Sequence, residues 1–276
     1  MPSNKVYMVS LSVIVPVYNE EKSVEKVLHS VAAESLVSEI IIVDDFSLDN
    51  SVGKINLAIQ SIETLRPELI LKFHQNKKNI GKGGSLRRGF QYVTSDVIVI
   101  QDADLEYNPK EYKKLIKPIQ KGLADVVYGS RFIGGTHRVL YFWHFMGNKA
   151  LTLMSNMFSN LNLTDMETCY KMFRKDILKN IDLKSNRFGF EPEFTAKVAK
   201  AKVKIYELPI SYYGRTYSEG KKITWKDGIA AIYHIIRFNM SAKIFILTGI
   251  FFTLGVLIFY SSLIGMKYLS SLIFHK

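Results

Sequence analysis

Two aspartates stand two residues apart in Asp102-Ala103-Asp104, at the end of the apolar run DVIVIQ (residues 96–101). In extended backbone, residues i and i+2 project to one side. A strand ending here therefore presents two carboxylates together. Such a pair is a hard oxygen site suited to Mg2+ or Mn2+, an ion that keeps waters and takes substrate phosphates as further ligands. Glu106, two residues on, offers a third oxygen donor. A lone D-x-D triplet is more often a solvated acidic turn; its place at the end of a very apolar run favours the metal.

Two further strand ends carry chemistry. Pro16-Val17-Tyr18-Asn19-Glu20 closes one apolar run, and Asp44-Asp45 closes another. Adjacent strand ends can form one pocket, in which Tyr18 offers a flat face to a base and Asp45 an acceptor to base or ribose. Taken singly, a rim aromatic and a helix cap are the plainer readings. Asn79-Ile80-Gly81-Lys82-Gly83-Gly84 is glycine-rich and precedes a helix, so its backbone N–H groups could approach an anion. It lacks the P-loop spacing, and the third position of G-x-G-x-x-G falls on Leu86, so kinase and dehydrogenase readings lose support.

These residues need elements to position them. Residues 11–18 (LSVIVPVY), 39–45 (EIIIVDD), 69–74, 96–101 and 125–128 read as strands, apolar and β-branched. Helical stretches intervene, notably 23–34 and 84–93, and Asn19 is expected to cap the first helix with Glu20 and Glu21 in its opening turn. Alternating strands and helices predict an α/β fold with a mostly parallel sheet covered on both faces, which binds ligands outside the carboxyl ends of its strands. Residues 130–160, opened by Gly134-Gly135 and rich in aromatics (Tyr141, Phe142, Trp143, Phe145), read as a loop followed by a helix outside the sheet.

The 276 residues carry 37 Lys+Arg against 25 Asp+Glu, a net charge of +12, with 47% hydrophobic residues and one cysteine. Disorder, a disulfide framework and a multi-cysteine zinc site are excluded. The charge points to an anionic partner: nucleic acid, a membrane surface or a phosphorylated substrate. Residues 244–266 hold no charge and match the roughly 20 residues of helix that cross a bilayer. No signal segment precedes them, and Arg215, Lys221, Lys222, Lys226, Arg237 and Lys243 lie just before them. That excess predicts a single-pass membrane protein with its catalytic domain on the cytoplasmic side. Ile229, Ile232, Tyr233, Ile236 and Met240 recur at helical steps, so residues 227–243 read as an amphipathic helix packed on the domain, lying among headgroups, or both. Membrane lipid is thus an expected partner, and nucleic acid is not.

IVPVYNE, IIVDDFSLDN, NIGKGGSLRRGF, IQDADLEYNP and YGSRF, in this order and spacing, resemble family 2 glycosyltransferases with the GT-A fold. The resemblance is to the polyprenyl-phosphate group, the dolichyl-phosphate mannose and glucose synthases and their bacterial counterparts, and covers about residues 10–225. It implies a GT-A domain over 1–215, a basic juxtamembrane segment over 216–243, a transmembrane helix over 244–266 and a short tail over 267–276. It also implies a UDP- or GDP-linked sugar donor, a polyprenyl phosphate acceptor and Mg2+ or Mn2+, and it allows a homo-oligomer. Pro16, Tyr18, Glu20 and Asp45 match positions that hold the nucleoside, joined at the nucleotide sugar by Lys82, Asp102 and Ala103. Asp102 and Asp104 match the metal motif, with Glu106 where relatives often have Gln. Arg131 matches a residue near the donor diphosphate or acceptor phosphate. Asp165, in TDMETCYK, is the catalytic candidate facing sugar and acceptor. Arg215, Lys221 and Lys222 match a basic stretch that closes over phosphates. His144 stands where mannose-synthase-like relatives tend to carry arginine.

A lipid phosphate acceptor is already an anion and needs positioning more than a base; a sugar hydroxyl acceptor needs a general base, and Asp165 is the one to test. A family 2 enzyme acting on a glycan or glycolipid hydroxyl is the alternative, and an idle membrane scaffold is the alternative of another class. Glu191 and Glu193 are expected in positioning or structural roles, and Tyr212, Tyr213 and Tyr217 at headgroups.

Overall fold

The computed structural model describes residues 9–139, 141–220 and 225–240. The expected membrane span at 244–266, together with Lys221 and Lys222, lies outside the described residues. Among the described residues no helix is long and apolar enough to cross a membrane.

The strands β1 (Leu11–Val17), β2 (Val37–Asp44), β3 (Ile70–Gln75), β4 (Val97–Ile100), β5 (Val126–Ser130), β6 (Lys171–Arg174) and β7 (Ile205–Pro209) form one sheet in the order β3-β2-β1-β4-β6-β5-β7. All neighbours pair in parallel except β6, which runs antiparallel to both β4 and β5. The sheet is thus mixed but mostly parallel. Its centre is a continuous apolar run: in β1 and β2, Val13, Ile14, Val15, Ile40, Ile41 and Ile42 are fully buried. That is the pattern of strands covered on both faces.

The helices are α1 (Val24–Ala32), α2 (Ser51–Leu65), α3 (Lys82–Phe90), the short α4 (Tyr112–Leu115) and α5 (Lys117–Gln120), then α6 (Phe142–Ser159), α7 (Phe190–Lys200) and α8 (Trp225–Asn239). The chain steps outward from β1 to β2 to β3, then jumps back past both to β4. This reversal makes β1 and β4 the switch point where a crevice opens at the carboxyl ends.

The antiparallel β6 has a useful consequence. Two reversals make β5 parallel to β4, so the chain leaves β5 at the same edge where β1 and β4 end. It returns to that edge before descending through β6, and β7 exits there too. Residues 18–20, 102–106, 131, 164–168 and 210–215 therefore gather at one edge although they are far apart in sequence.

Two expectations change. Asn19 does not cap α1: it sits in a turn at φ 52, its Oδ1 accepts from Leu48 N, and the helix begins only at Val24. The N–H groups of Ser23 and Val24 bond back to the Glu20 carbonyl, so residues 19–23 make a separate turn before the helix starts. The sheet has seven strands where five were legible. The aromatic helix α6 lies outside the sheet as expected, and α8 packs against α6 and α7. On α8, Ala231 and Ile235 are buried inward, while Ile229, Ile232 and Tyr233 stay exposed. Both faces expected of the amphipathic segment are present.

Candidate active site

The loop after β4 carries the acid pair. Leu105 takes a left-handed φ of 64, uncommon for a residue with a Cβ, in a turn closed by Glu106 N donating to Asp104 Oδ1 at 3.1 Å. Strain of this kind persists where surrounding contacts hold it, often at functional sites. Ala103 is buried beneath the pair.

Each aspartate meets a side-chain cation. Lys82 Nζ lies 2.9 Å from Asp102 Oδ1 and 2.9 Å from Glu191 Oε1. Burial works against the Lys82 charge, but the Asp102 and Glu191 carboxylates outweigh it and hold the ammonium well above its ordinary value. Arg215 Nη2 lies 3.4 Å from Asp104 Oδ2, and the same guanidinium makes two 3.1 Å contacts to Glu20. Burial first, then the charges of Asp102 and Glu106, push the Asp104 carboxyl up to about 8 against the pull of Arg215.

The chemistry of the donor set is the test of fit for a divalent cation. The acids here carry more negative charge than Arg215 neutralises for Asp104, and their oxygens are of the hard type Mg2+ and Mn2+ prefer. Asp102 and Asp104 fit such an ion. Glu106 spends its carboxylate elsewhere: Tyr212 OH donates to Oε2 at 2.7 Å and Arg215 N to Oε1 at 2.8 Å. Among the described residues no three His, Cys, Asp or Glu side chains converge as a ready cage. The remaining ligands would come from water and phosphate.

The residues expected to hold the nucleoside stand at the ends of β1 and β2. Tyr18 is exposed at the rim, Pro16 lies in β1 opposite Val43, and Glu20 is held by Ser23 Oγ and Arg215. Asp45 is buried, and its carboxylate is latched by the glycine-rich loop. Ile80 N and Asn76 Nδ2 donate to Oδ1 at 2.8 and 2.9 Å, and Gly81 N donates to Oδ2 at 2.7 Å. The loop amides thus hold an anion, as its glycine content suggests, and here that anion is Asp45.

A clasp joins Arg131, just after β5, to Asp165, just before β6. Arg131 Nε donates to Oδ2 and Nη2 to Oδ1, both at 2.7 Å, and the Arg131 backbone N–H adds 3.0 Å to Oδ2. Burial opposes the Arg131 charge, and Asp165 more than restores it. From β7, Glu207 accepts from the backbone N–H groups of Thr164 and Asp165 and so fixes that loop. The Tyr212 ring lies 5.2 Å from the Arg131 guanidinium while its hydroxyl bonds Glu106, so Tyr212 joins the two halves of the site rather than reaching outward to headgroups.

Below the site, Glu167 Oε1 is buried with no hydrogen-bond partner among the described residues. Burial and then Glu191 push its carboxyl up to about 8, against Lys171 and Arg131. Tyr212, Glu207 and the Lys82–Glu191 contact were not legible as site features in the sequence. Each depends on residues from β7 or α7 meeting loops far away in the chain.

Residues 12–182 match the sequence model of the family described as Glycosyl transferase family 2. The chain is 28% identical over 245 residues to the undecaprenyl-phosphate mannosyltransferase of Micrococcus luteus, with 83% of this chain and 94% of that one covered. It is 27% identical over 232 residues to the dolichol-phosphate mannosyltransferase of Pyrococcus furiosus, covering 82% of this chain and 63% of that longer relative. Among solved structures, glucosyl-3-phosphoglycerate synthase from Mycobacterium tuberculosis, in complex with Mn2+, UDP and glucosyl-3-phosphoglycerate, matches at a TM-score of 0.65 with 16% identity, covering 84% of this chain and 80% of that one. The fold is GT-A, α/β with a mostly parallel mixed sheet.

Proposed function

The chain belongs to glycosyl transferase family 2, and from that premise we propose that it moves a sugar from a UDP- or GDP-linked donor to a polyprenyl phosphate, with inversion at the anomeric carbon. Two relatives named for undecaprenyl and dolichol phosphate support the acceptor class. The observation that carries it is the state of Asp165: both carboxylate oxygens are engaged by Arg131. A carboxylate so engaged is a poor general base, and a phosphate acceptor needs none because it is already an anion.

The residues divide the work. Tyr18, Glu20 and Asp45, beside Pro16 and Ala103, line the nucleoside. Lys82 and Arg215 bring positive charge to the phosphates. Asp102 and Asp104 would hold a divalent cation, which would supply charge neutralisation for the departing nucleoside diphosphate. Arg131 positions the acceptor phosphate, and Asp165 holds Arg131 in place; preorganised charge of this kind lowers a barrier without reorganisation at the moment of reaction. Lys221 and Lys222, which follow Arg215 in the sequence, are assigned to the same phosphate-binding basic stretch.

We also propose the domain plan of a catalytic unit (1–215), a basic juxtamembrane segment (216–243), a spanning helix (244–266) and a tail (267–276), with the catalytic unit on the cytoplasmic side. Support comes from apolar exposure on the two helices that adjoin each other before the span. Phe142, Trp143 and Met157 of α6 and Ile229 and Tyr233 of α8 are all exposed. Such faces suit a lipid boundary that a long-chain acceptor shares.

The test is a donor panel with the full chain in detergent. Labelled sugar should enter an organic-extractable product only with polyprenyl phosphate and Mg2+ or Mn2+ present. Product on a hydroxyl acceptor and none on lipid would replace this reading with the glycan or glycolipid alternative.

A further inference from the structure

Lys82 is shared equally by two carboxylates, Asp102 and Glu191, at 2.9 Å each. Glu191 enters from the first turn of α7, and its side chain is 5% exposed. Its Oε2 is buried with no hydrogen-bond partner among the described residues. An unpaired buried carboxylate oxygen costs free energy. The neighbouring Glu193 shows what a structural acid on this helix looks like: it accepts from Lys184 N and Ser185 N and pairs with Lys197. Among the described residues Glu191 accepts no backbone hydrogen bond; it acts electrostatically on Lys171 and Glu167, and its ion-pair partner is Lys82, the lysine that also touches Asp102.

We propose that Glu191 is a positioning residue that retains Lys82 when a divalent cation takes Asp102. This deepens the function proposed above and rests on Asp102 being a metal ligand. Without the ion, the ammonium neutralises Asp102. An arriving ion competes for the same oxygens, and two cations on one carboxylate repel. A lysine with a single partner would either oppose the ion or swing off on its flexible stem. Glu191 gives Lys82 a second anchor at the same distance, so the ammonium yields Asp102 and stays beside the phosphates. The other aspartate has a related arrangement: Arg215 is shared among Asp104, Glu20 and Glu106.

The test is Mn2+ titration of the purified full chain in detergent, followed by the paramagnetic resonance of free Mn2+, without donor or acceptor. Glu191→Gln should weaken Mn2+ binding about three- to tenfold, because Lys82 then pairs with Asp102 alone. Lys82→Met should bind at least as tightly as wild type, since Asp102 is uncontested. The double variant Lys82→Met/Glu191→Gln should match Lys82→Met, because Glu191 acts through Lys82. Wild-type affinity in Glu191→Gln, or a double variant as weak as Glu191→Gln alone, would overturn the proposal. Asp102→Asn separates the two ideas: loss of Mn2+ binding keeps the metal site whatever Glu191 does, and retained binding overturns the site and this inference with it. If Glu191→Gln lacks a cooperative melt, Glu191→Asp, which withdraws the charge from Lys82 by one carbon, carries the same expectation.

Discussion

Arg131 holds both oxygens of Asp165, with Nε to Oδ2 and Nη2 to Oδ1 at 2.7 Å each. The two residues stand at the ends of the excursion that leaves β5 and returns to β6, so the ion pair closes that excursion. Asp165 is fully buried, and Arg131 nearly so. Removing one partner from a pair this enclosed leaves the other uncompensated.

Asp165→Asn should therefore lower kcat/KM about 100-fold through misplacement of Arg131, and Arg131→Ala should cost about the same. The double variant should be little worse than either single change, because the pair acts as a unit. The pH–rate profile of Asp165→Asn should keep its shape. Loss of its acidic limb, measured on initial rates, would make Asp165 a general base instead.

Asp102→Ala and Asp104→Ala should each abolish Mn2+ binding and metal-dependent turnover. The check is binding and rate measured on the same folded preparations. Retained activity in either variant would remove that aspartate from the site.

Metal binding should depend on pH. The Asp104 carboxyl is raised from 3.8 to about 8, so below that value the ion must expel a proton. Mn2+ affinity should rise about tenfold per pH unit up to about 8 and then level off. The same shift sets the sign for stability. In chelator, the folded state keeps a proton that the unfolded chain has shed, so the unfolding free energy contributed by Asp104 is full below its unfolded value and is lost as pH rises through about 8. Glu167, raised from 4.5 to about 8, acts in the same direction. Mn2+ titrations and urea melts across this range check both statements, and an affinity independent of pH would contradict them.

Gly81 sits at φ 79, and a Cβ there would meet the Asn186 carbonyl oxygen at 2.6 Å. Gly81→Ala should cost about 1–3 kcal/mol and loosen the latch on Asp45. Nucleoside diphosphate affinity should fall with it. Gly147 of α6 has open space around a Cβ, so Gly147→Ala should stabilise by about 0.5–1 kcal/mol. Urea melts of both variants make the comparison; equal effects would contradict the assigned strain.

Alkaline carbonate should leave the full chain with the membrane fraction. Release of intact protein would contradict the span proposed at 244–266.

The five strands legible in the sequence are those whose buried, β-branched runs announce themselves, such as IIIV in β2. The strands β6 and β7 did not: KMFR opens on Lys171 and closes on Arg174, and its place between β4 and β5 is decided by tertiary pairing. Within the site, the acid pair and Asp45 were legible because each ends a strand, and Arg131 through the family resemblance that YGSRF carries. Glu191 was not distinguishable from Glu193, since only the packing of α7 decides which acid faces Lys82. Asn19 has the side chain of a cap, but the turn through residues 19–23 displaces the helix start to Val24. Lys221 and Lys222 were read from the family resemblance and from the charge before residues 244–266.

The most direct measurement is sugar transfer by the purified full chain to polyprenyl phosphate, compared with the same lipid bearing a free hydroxyl in place of the phosphate. With a metal and the right nucleotide sugar, an organic-extractable product is expected on the phosphate and none on the alcohol, because Asp165 is engaged by Arg131 and a phosphate needs no base. Equal transfer to the alcohol, or transfer to it alone, would contradict that claim.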